Sequence, residues 1–333
     1  MADYDYALPE RAIAQVPAEP RDSARLLVAA GEGVRHHRVR DLPGLLHPGD
    51  VVVVNDTRVL PARLHLRKAS GGAAEVLLLE PEEKGARCWR ALIRPARRLP
   101  PGTVLYAPDG QPLVEVGDSD DGGATRRVTL LGEPWPYGEI PLPPYLHRAL
   151  ADPERYQTVY AARPASVAAP TAGLHLTDGV LRALAERGIE VARVELVVGL
   201  DTFRPVVVEA AEEHRMHSEA YRVPPTTWES CTRARAEGRR VVAIGTTTVR
   251  ALEAAARSGL TGRTDLFIRG DYEFEMVDVL LTNFHLPRST LLLLVEAFAG
   301  PGWREAYRTA LADGYRFLSF GDAMLVTRAA LAG

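Results

Sequence analysis

The chain is poor in cysteine, in lysine and in long apolar runs. Among 333 residues only Cys88 and Cys231 are cysteines. They lie far apart with no CxxC pair, which excludes a disulfide scaffold and a cysteine zinc site and suits a reducing compartment. Apolar runs such as Val51–Val54 and Leu291–Val295 fall far short of the roughly 20 residues that a bilayer span needs. The start, Met-Ala-Asp-Tyr-Asp-Tyr, is acidic and has no apolar stretch, so a secretory signal is not expected and a cytoplasmic location is. An excess of one charge is also lacking: 40 basic against 43 acidic residues leave −3, so any RNA contact needs a local basic patch. Lysine is confined to Lys68 and Lys84, and the other bases are arginine, whose planar fork fits phosphates. Codon bias in a GC-rich genome accounts for that excess as a whole. Neither GxGxxG, nor a P-loop, nor GxSxG with a triad occurs, which counts against nucleotide hydrolysis and the α/β-hydrolase reading.

What is present is an ordinary globular composition, 46% hydrophobic and 25% charged, over a length that suggests about two domains. His47–Asp50 reads as a turn, and Val51–Val54 as a strand buried on both faces. From 62 to about 132 short apolar runs recur with turn residues between them, the pattern of a small all-β unit. Pro134–Pro144 reads as a return linker. Beyond Tyr156 strands and helices alternate. A helix is expected from Thr177 or Asp178 to Arg187, stopped by Gly188, then strand Ile189–Val198, helix Thr226–Glu237 and strand Val241–Ile244. Helix Ala251–Ala256, strand Val277–Leu281 and helix Ser289–Phe298 follow, and Tyr315–Asp322 reads as a final strand with one polar face. The expected fold class is therefore α/β: a mostly parallel sheet in a discontinuous domain, 1–61 and 150–333, with a barrel-like all-β insertion at 62–149.

Six segments carry candidate chemistry. Gly245-Thr246-Thr247-Thr248 leaves a strand and enters a helix, placing backbone N–H groups and hydroxyls where an anion or polar ligand is favoured, or serving only as a helix cap. Ala168–His175 is a small-residue loop that lets a backbone approach a ligand, with Thr171 and Gly173 inside it and His175 at its end as a proton acceptor or a structural imidazole. Glu212–Glu219 contains His214 and His217 on one helical face; a hydrogen-bonding role there outweighs a metal, for which no third ligand is suggested. Asn55–Arg58 and Thr282–Pro287 both follow expected parallel strands, where open α/β sheets hold ligands. Ser319–Asp322 closes the set. Two arginine clusters, Arg87, Arg90, Arg94, Arg97 and Arg98 beside Trp89, and Arg233, Arg235, Arg239 and Arg240, either face solvent or meet phosphates.

Taken together, these segments resemble the S-adenosylmethionine:tRNA ribosyltransferase-isomerases of queuosine biosynthesis. The matching stretches run in family order along the whole chain: Asp5-Tyr6, Leu8–Glu10, Glu19–Asp22, Asn55–Val59 with Pro61–Arg63, Tyr156–Tyr160, Ser166–His175, Phe203–Val206, Met216–Glu219, Gly245–Arg250, Thr282–Pro287 and Tyr315–Asp322. The stretch from 64 to 132 matches least. Leu176, Asp201, Thr248, Leu318 and Phe320 depart from the pattern, and Asp201 alone changes local chemistry, by adding a carboxylate where glycine is expected.

The resemblance implies an α/β domain interrupted by a β-barrel. It implies a tRNA whose anticodon stem-loop carries 7-aminomethyl-7-deazaguanine as substrate, S-adenosylmethionine as ribosyl donor, and no metal or prosthetic group. Epoxyqueuosine-tRNA, adenine and methionine are the products. A monomer is expected. By this reading His175 is the proton acceptor, with His217 and His285 as competitors, and Asp322 orients a base or hydroxyl. Arg58 or Arg250 anchors a carboxylate or phosphate, while Thr246, Thr247 and Asn283 bind ribose or adenine alongside Thr171, Gly173 and Gly245. A non-catalytic tRNA-binding protein and an S-adenosylmethionine-dependent RNA methyltransferase are the rivals. The absence of a Gly-rich nucleotide loop already counts against the second.

Overall fold

Val51–Asn55, the β-branched run, forms the fully buried centre of a nine-stranded sheet. The computed structural model describes residues 1–29, 33–82, 87–119, 125–199, 216 and 218–329. The chain divides into two compact units, the first comprising 1–57, 144–163 and 169–333, the second 58–143 and 164–168.

In the first unit the strands run in the order Thr261–Thr264, Glu219–Arg222, Glu190–Leu196, Val51–Asn55, Val241–Ile244, Val279–Asn283, Ala323–Thr327, Arg25–Ala29 and Val34–Arg38. Glu190–Leu196, Val51–Asn55, Val241–Ile244 and Val279–Asn283 are mutually parallel neighbours. Ala323–Thr327 runs antiparallel to Val279–Asn283 and parallel to Arg25–Ala29, and the remaining neighbours at both ends of the sheet are antiparallel. The expectation of a mostly parallel sheet is thus corrected to a mixed one. The cause is connection length. Parallel neighbours need a crossover, whereas the few residues between Arg25–Ala29 and Val34–Arg38 permit only a hairpin. The last strand returns after two successive helices, Thr290–Ala299 and Trp303–Ala312, which reverses its direction.

The helix Asp178–Glu186 starts as its sequence dictates: the Thr177 hydroxyl accepts from the Val180 N–H at 3.2 Å. It ends at Gly188, whose φ of +69° an L side chain adopts only with strain. Its apolar face, Val180 and Leu184, packs with Leu26, Val52, Val54, Val242, Ile244 and Leu281 into one core.

Tyr315–Asp322 is not a strand. Only Phe317 makes an isolated bridge, to Ile13, and the chain turns at Leu318, whose φ is 69°. The Asp322 carboxylate enforces the turn by accepting the backbone N–H of Arg316 and of Arg25, each at 2.8 Å. The final strand follows instead at Ala323–Thr327.

The second unit is a closed, six-stranded antiparallel barrel of Arg63–Lys68, Ala73–Pro81, Cys88–Arg94, Thr125–Leu130, Pro112–Ser119 and Val104–Tyr106, the last pairing back onto the first. Closure removes free strand edges. Leu64, Leu66, Val76, Trp89, Ala91 and Ile93 alternate inward, as strand geometry requires. Among the described residues no helix is long and apolar enough to cross a membrane.

Candidate active site

Three of the parallel strands bring their carboxyl ends to one rim of the sheet, and these ends supply the floor of a narrow cleft. Val198 follows Glu190–Leu196, Gly245 to Thr247 follow Val241–Ile244, and Asn283 to Leu286 follow Val279–Asn283. Ala169 to Ala172, Tyr145 and the Leu318–Ser319 turn complete the wall. The interior volume is about 50 Å³, room for a few waters. Among the described residues no aspartate, glutamate, lysine or arginine lines it. Its polar groups are hydroxyls, one amide and one imidazole.

Gly245 explains one part of the floor. Its φ is +89°, and it caps the helix Thr246–Ser258 with no side chain of its own. The strand therefore turns into the helix within one residue, leaving the first helical turn, Thr246 and Thr247, on the cleft. Thr247 Oγ1 is held by the Asn55 amide at 3.3 Å. Asn55 is saturated, since it also exchanges bonds with the backbone of Leu196 and receives the Thr57 N–H. It braces the floor from the end of the central strand.

Asn283 dominates the opposite side. Its Nδ2 donates to the Leu318 carbonyl at 3.2 Å and lies 3.0 Å from His175 Nε2, while its Oδ1 accepts from Thr171 Oγ1 at 3.2 Å. His175 stands behind Asn283 and is not a lining residue. Burial, with the charges of Arg316 and Arg21 adding to it, pushes its pKa down to about 4. His285 does line the cleft, and its Nε2 lies 3.0 Å from Thr282 Oγ1. Burial pushes its pKa down to about 3. Both imidazoles are neutral at pH 7.

Gly173 belongs to the turn Thr171–His175. A Cβ there would lie 1.9 Å from the Tyr160 hydroxyl, so only glycine fits. Tyr145, absent from the expected site, places its hydroxyl 2.7 Å from Ser319 Oγ at the cleft wall. A lone tyrosine beside prolines carries no sequence signal for such a role.

The other expected site residues lie elsewhere. Asp322 lines a separate shallow depression with Arg25, Arg38 and Arg316, and its oxygens hold backbone N–H groups. Arg250 is buried, forms an ion pair with Glu219, and donates to the Leu266 carbonyl at 3.1 Å. Arg58 falls in the second unit, on the strand Thr57–Val59. His217, and with it His214 and Asp201, lies outside the described residues.

The two arginine clusters differ. Arg233, Arg235, Arg239 and Arg240 each pair with an acid, Glu190, Asp278, Glu237 and Asp50 respectively. They brace the first unit. In the second unit Arg90 pairs with Glu80, whereas Arg94, Arg97 and Arg98 are exposed.

Comparison with known proteins agrees along the full length. A family model described as "Queuosine biosynthesis protein" matches residues 1–326. The S-adenosylmethionine:tRNA ribosyltransferase-isomerase of Thermus thermophilus is 52% identical, with 97% of this chain and 98% of the relative covered. The protein of the same name from Moorella thermoacetica is 51% identical over the same shares. The crystal structure of S-adenosylmethionine tRNA ribosyltransferase from Thermotoga maritima superposes with a TM-score of 0.56 at 38% identity, covering 97% of this chain and 99% of that one. With a matching model over nearly every residue and relatives at half identity, the chain belongs to the queuosine biosynthesis protein family.

Proposed function

We propose that the chain transfers and isomerises the ribosyl group of S-adenosylmethionine onto the aminomethyl group of 7-aminomethyl-7-deazaguanine at the wobble position of a tRNA. It is a transferase of queuosine biosynthesis, releasing adenine and methionine and leaving epoxyqueuosine in the RNA. The observation that supports this best is the hydroxyl-lined cleft at the carboxyl rim of the parallel strands, in a chain half identical to relatives bearing that activity in their name.

The chemistry asks for a proton acceptor near a sulfonium. The positive sulfur acidifies the adjacent C5′ hydrogens. Removing one, opening the ribose ring and losing adenine leave an unsaturated sulfonium. The aminomethyl nitrogen adds to it, and a ribose hydroxyl then closes the epoxide while methionine departs. Among the described residues no cationic side chain lines the cleft to repel the sulfonium, and a neutral imidazole can take the proton. His285 lines the cleft and is the histidine we place in that role. His175, one layer back, is better placed to orient than to accept. Thr246, Thr247 and Asn283 bind the nucleoside. The resting cleft is small, so the nucleoside enters with rotamer changes in the wall, as interface side chains commonly allow. Arg250 shares one helical face with Thr246 and Thr247 and, committed to Glu219, braces that helix from outside the cleft.

For the RNA, Arg94, Arg97 and Arg98 of the second unit meet phosphates. The target base is presented splayed from its stack. The enzyme acts in the cytoplasm as a monomer, with no prosthetic group.

Incubation with S-adenosylmethionine and precursor tRNA decides among the readings. Adenine and methionine as products support this one. S-adenosylhomocysteine would make the chain a methyltransferase, and tRNA binding without turnover would make it a binding module.

A further inference from the structure

We infer that His175 is a positioning residue: its imidazole locks the Asn283 amide so that the amide oxygen faces the cleft and accepts an N–H or O–H of the nucleoside half of the donor. This rests on the proposed use of S-adenosylmethionine and assigns which atom reads its nucleoside.

The geometry leaves one solution for the amide. The Leu318 carbonyl can only accept, so the Asn283 nitrogen must face it. That nitrogen has two hydrogens. One goes to Leu318 and the other to His175 Nε2, 3.0 Å away, which must then be the unprotonated ring nitrogen. Both donors of Asn283 are thereby used inside the protein. Its oxygen accepts one bond, from Thr171 Oγ1, and has a second lone pair. Among the described residues nothing else donates to that oxygen, and Asn283 lines the cleft while being 3% exposed. What the wall offers a ligand here is therefore an acceptor held in place from three sides.

The neutrality of His175 is part of the device. A protonated ring would present Nε2–H to the Asn283 N–H and break the lock, and its burial beside Arg316 and Arg21 prevents that at neutral pH. The tautomer thus has a function without any proton transfer. A neutral amide acceptor selects a neutral donor group, which in this ligand is the purine 6-amino group or a ribose hydroxyl. It does not suit the methionyl carboxylate, which would be repelled.

The test compares His175→Gln, which keeps an acceptor near the place of Nε2, with His175→Leu, which does not. Positioning predicts that the glutamine variant retains kcat/KM within about fivefold and keeps the wild-type pH profile. The leucine variant raises KM for S-adenosylmethionine by roughly tenfold or more with a smaller change in kcat. A fall of roughly 10²–10⁴ in kcat for both, at unchanged KM, would make His175 the general base and overturn the inference.

A second measurement uses the wild-type protein and does not depend on the variants folding. Calorimetric titration with 5′-methylthioadenosine is compared with its 6-oxo, 2′-deoxy and 3′-deoxy counterparts. At least about tenfold weaker binding of any one counterpart supports the acceptor and identifies the group it reads. Equal binding of all four overturns it. Failure of wild-type protein to release adenine from S-adenosylmethionine and precursor tRNA would instead sink the parent reading.

Discussion

Lowering the pH from 7.5 to 5 should destabilise the fold by about 4 kcal/mol through His175 and His285 alone, about 2 kcal/mol from each. In the unfolded chain each imidazole titrates near 6.5. In the fold burial holds His175 at about 4 and His285 at about 3. A depressed folded pKa means that the unfolded state binds the proton first. The contribution is therefore complete above 6.5 and lost as pH falls, levelling off near 4 for His175 and near 3 for His285. Urea unfolding of the wild type and of His175→Gln at pH 7.5, 6.5, 5.5 and 5 reads the effect. Subtracting the two curves cancels the carboxylates, including Asp56, whose pKa burial raises and which pulls the other way. The wild type should lose about 2 kcal/mol more than the variant over this range. A difference that stays constant with pH would refute the reasoning, because it would mean that His175 titrates alike in both states.

Gly173→Ala should cost about 1–3 kcal/mol in stability, since its Cβ would collide with the Tyr160 hydroxyl. Tyr160→Phe in the same chain should recover part of that loss in thermal melts. Glu253 is fully buried and accepts the backbone N–H of Glu275, Met276 and Val277, so Glu253→Ala should destabilise by about 3 kcal/mol in denaturant titration. His285→Gln should cut turnover by roughly 10²–10⁴ with little change in tRNA affinity; near-normal turnover removes it as the proton acceptor. Replacing Arg94, Arg97 and Arg98 by serine should weaken tRNA binding and flatten its salt dependence, measurable by filter binding between 50 and about 200 mM salt.

Much of this was legible where local chemistry decides. The β-branched run after the His47–Asp50 turn could only be a buried strand, and Thr177 and Gly188 bracket a helix by capping and by positive φ. The three strand ends followed by Asn55, Gly245–Thr247 and Thr282–His285 are local patterns too, and the fold brings them to one rim. Strand direction was not legible, because alternating helices and strands do not say which way the chain returns. Tyr315–Asp322 misled for a related reason. Its alternation of aromatic and polar residues imitates a strand, but a distant carboxylate contact and a positive φ at Leu318 make it a turn. Trp303, Ala306, Tyr307 and Ala310 have the spacing of a buried helical face, a signal present in the sequence and absent from the expectations above. Partners remote in sequence were out of reach: Glu219 for Arg250, Asp50 for Arg240, and Asn283 standing between His175 and the cleft.

The most direct measurement is a double-label transfer. S-adenosylmethionine carrying carbon-14 in its ribose and tritium in its methyl group is incubated with the enzyme and precursor tRNA, and the RNA is counted for both isotopes. Ribosyl transfer predicts carbon-14 in the tRNA, with the tritium left on free methionine. Tritium in the RNA and carbon-14 remaining in a soluble nucleoside would contradict it.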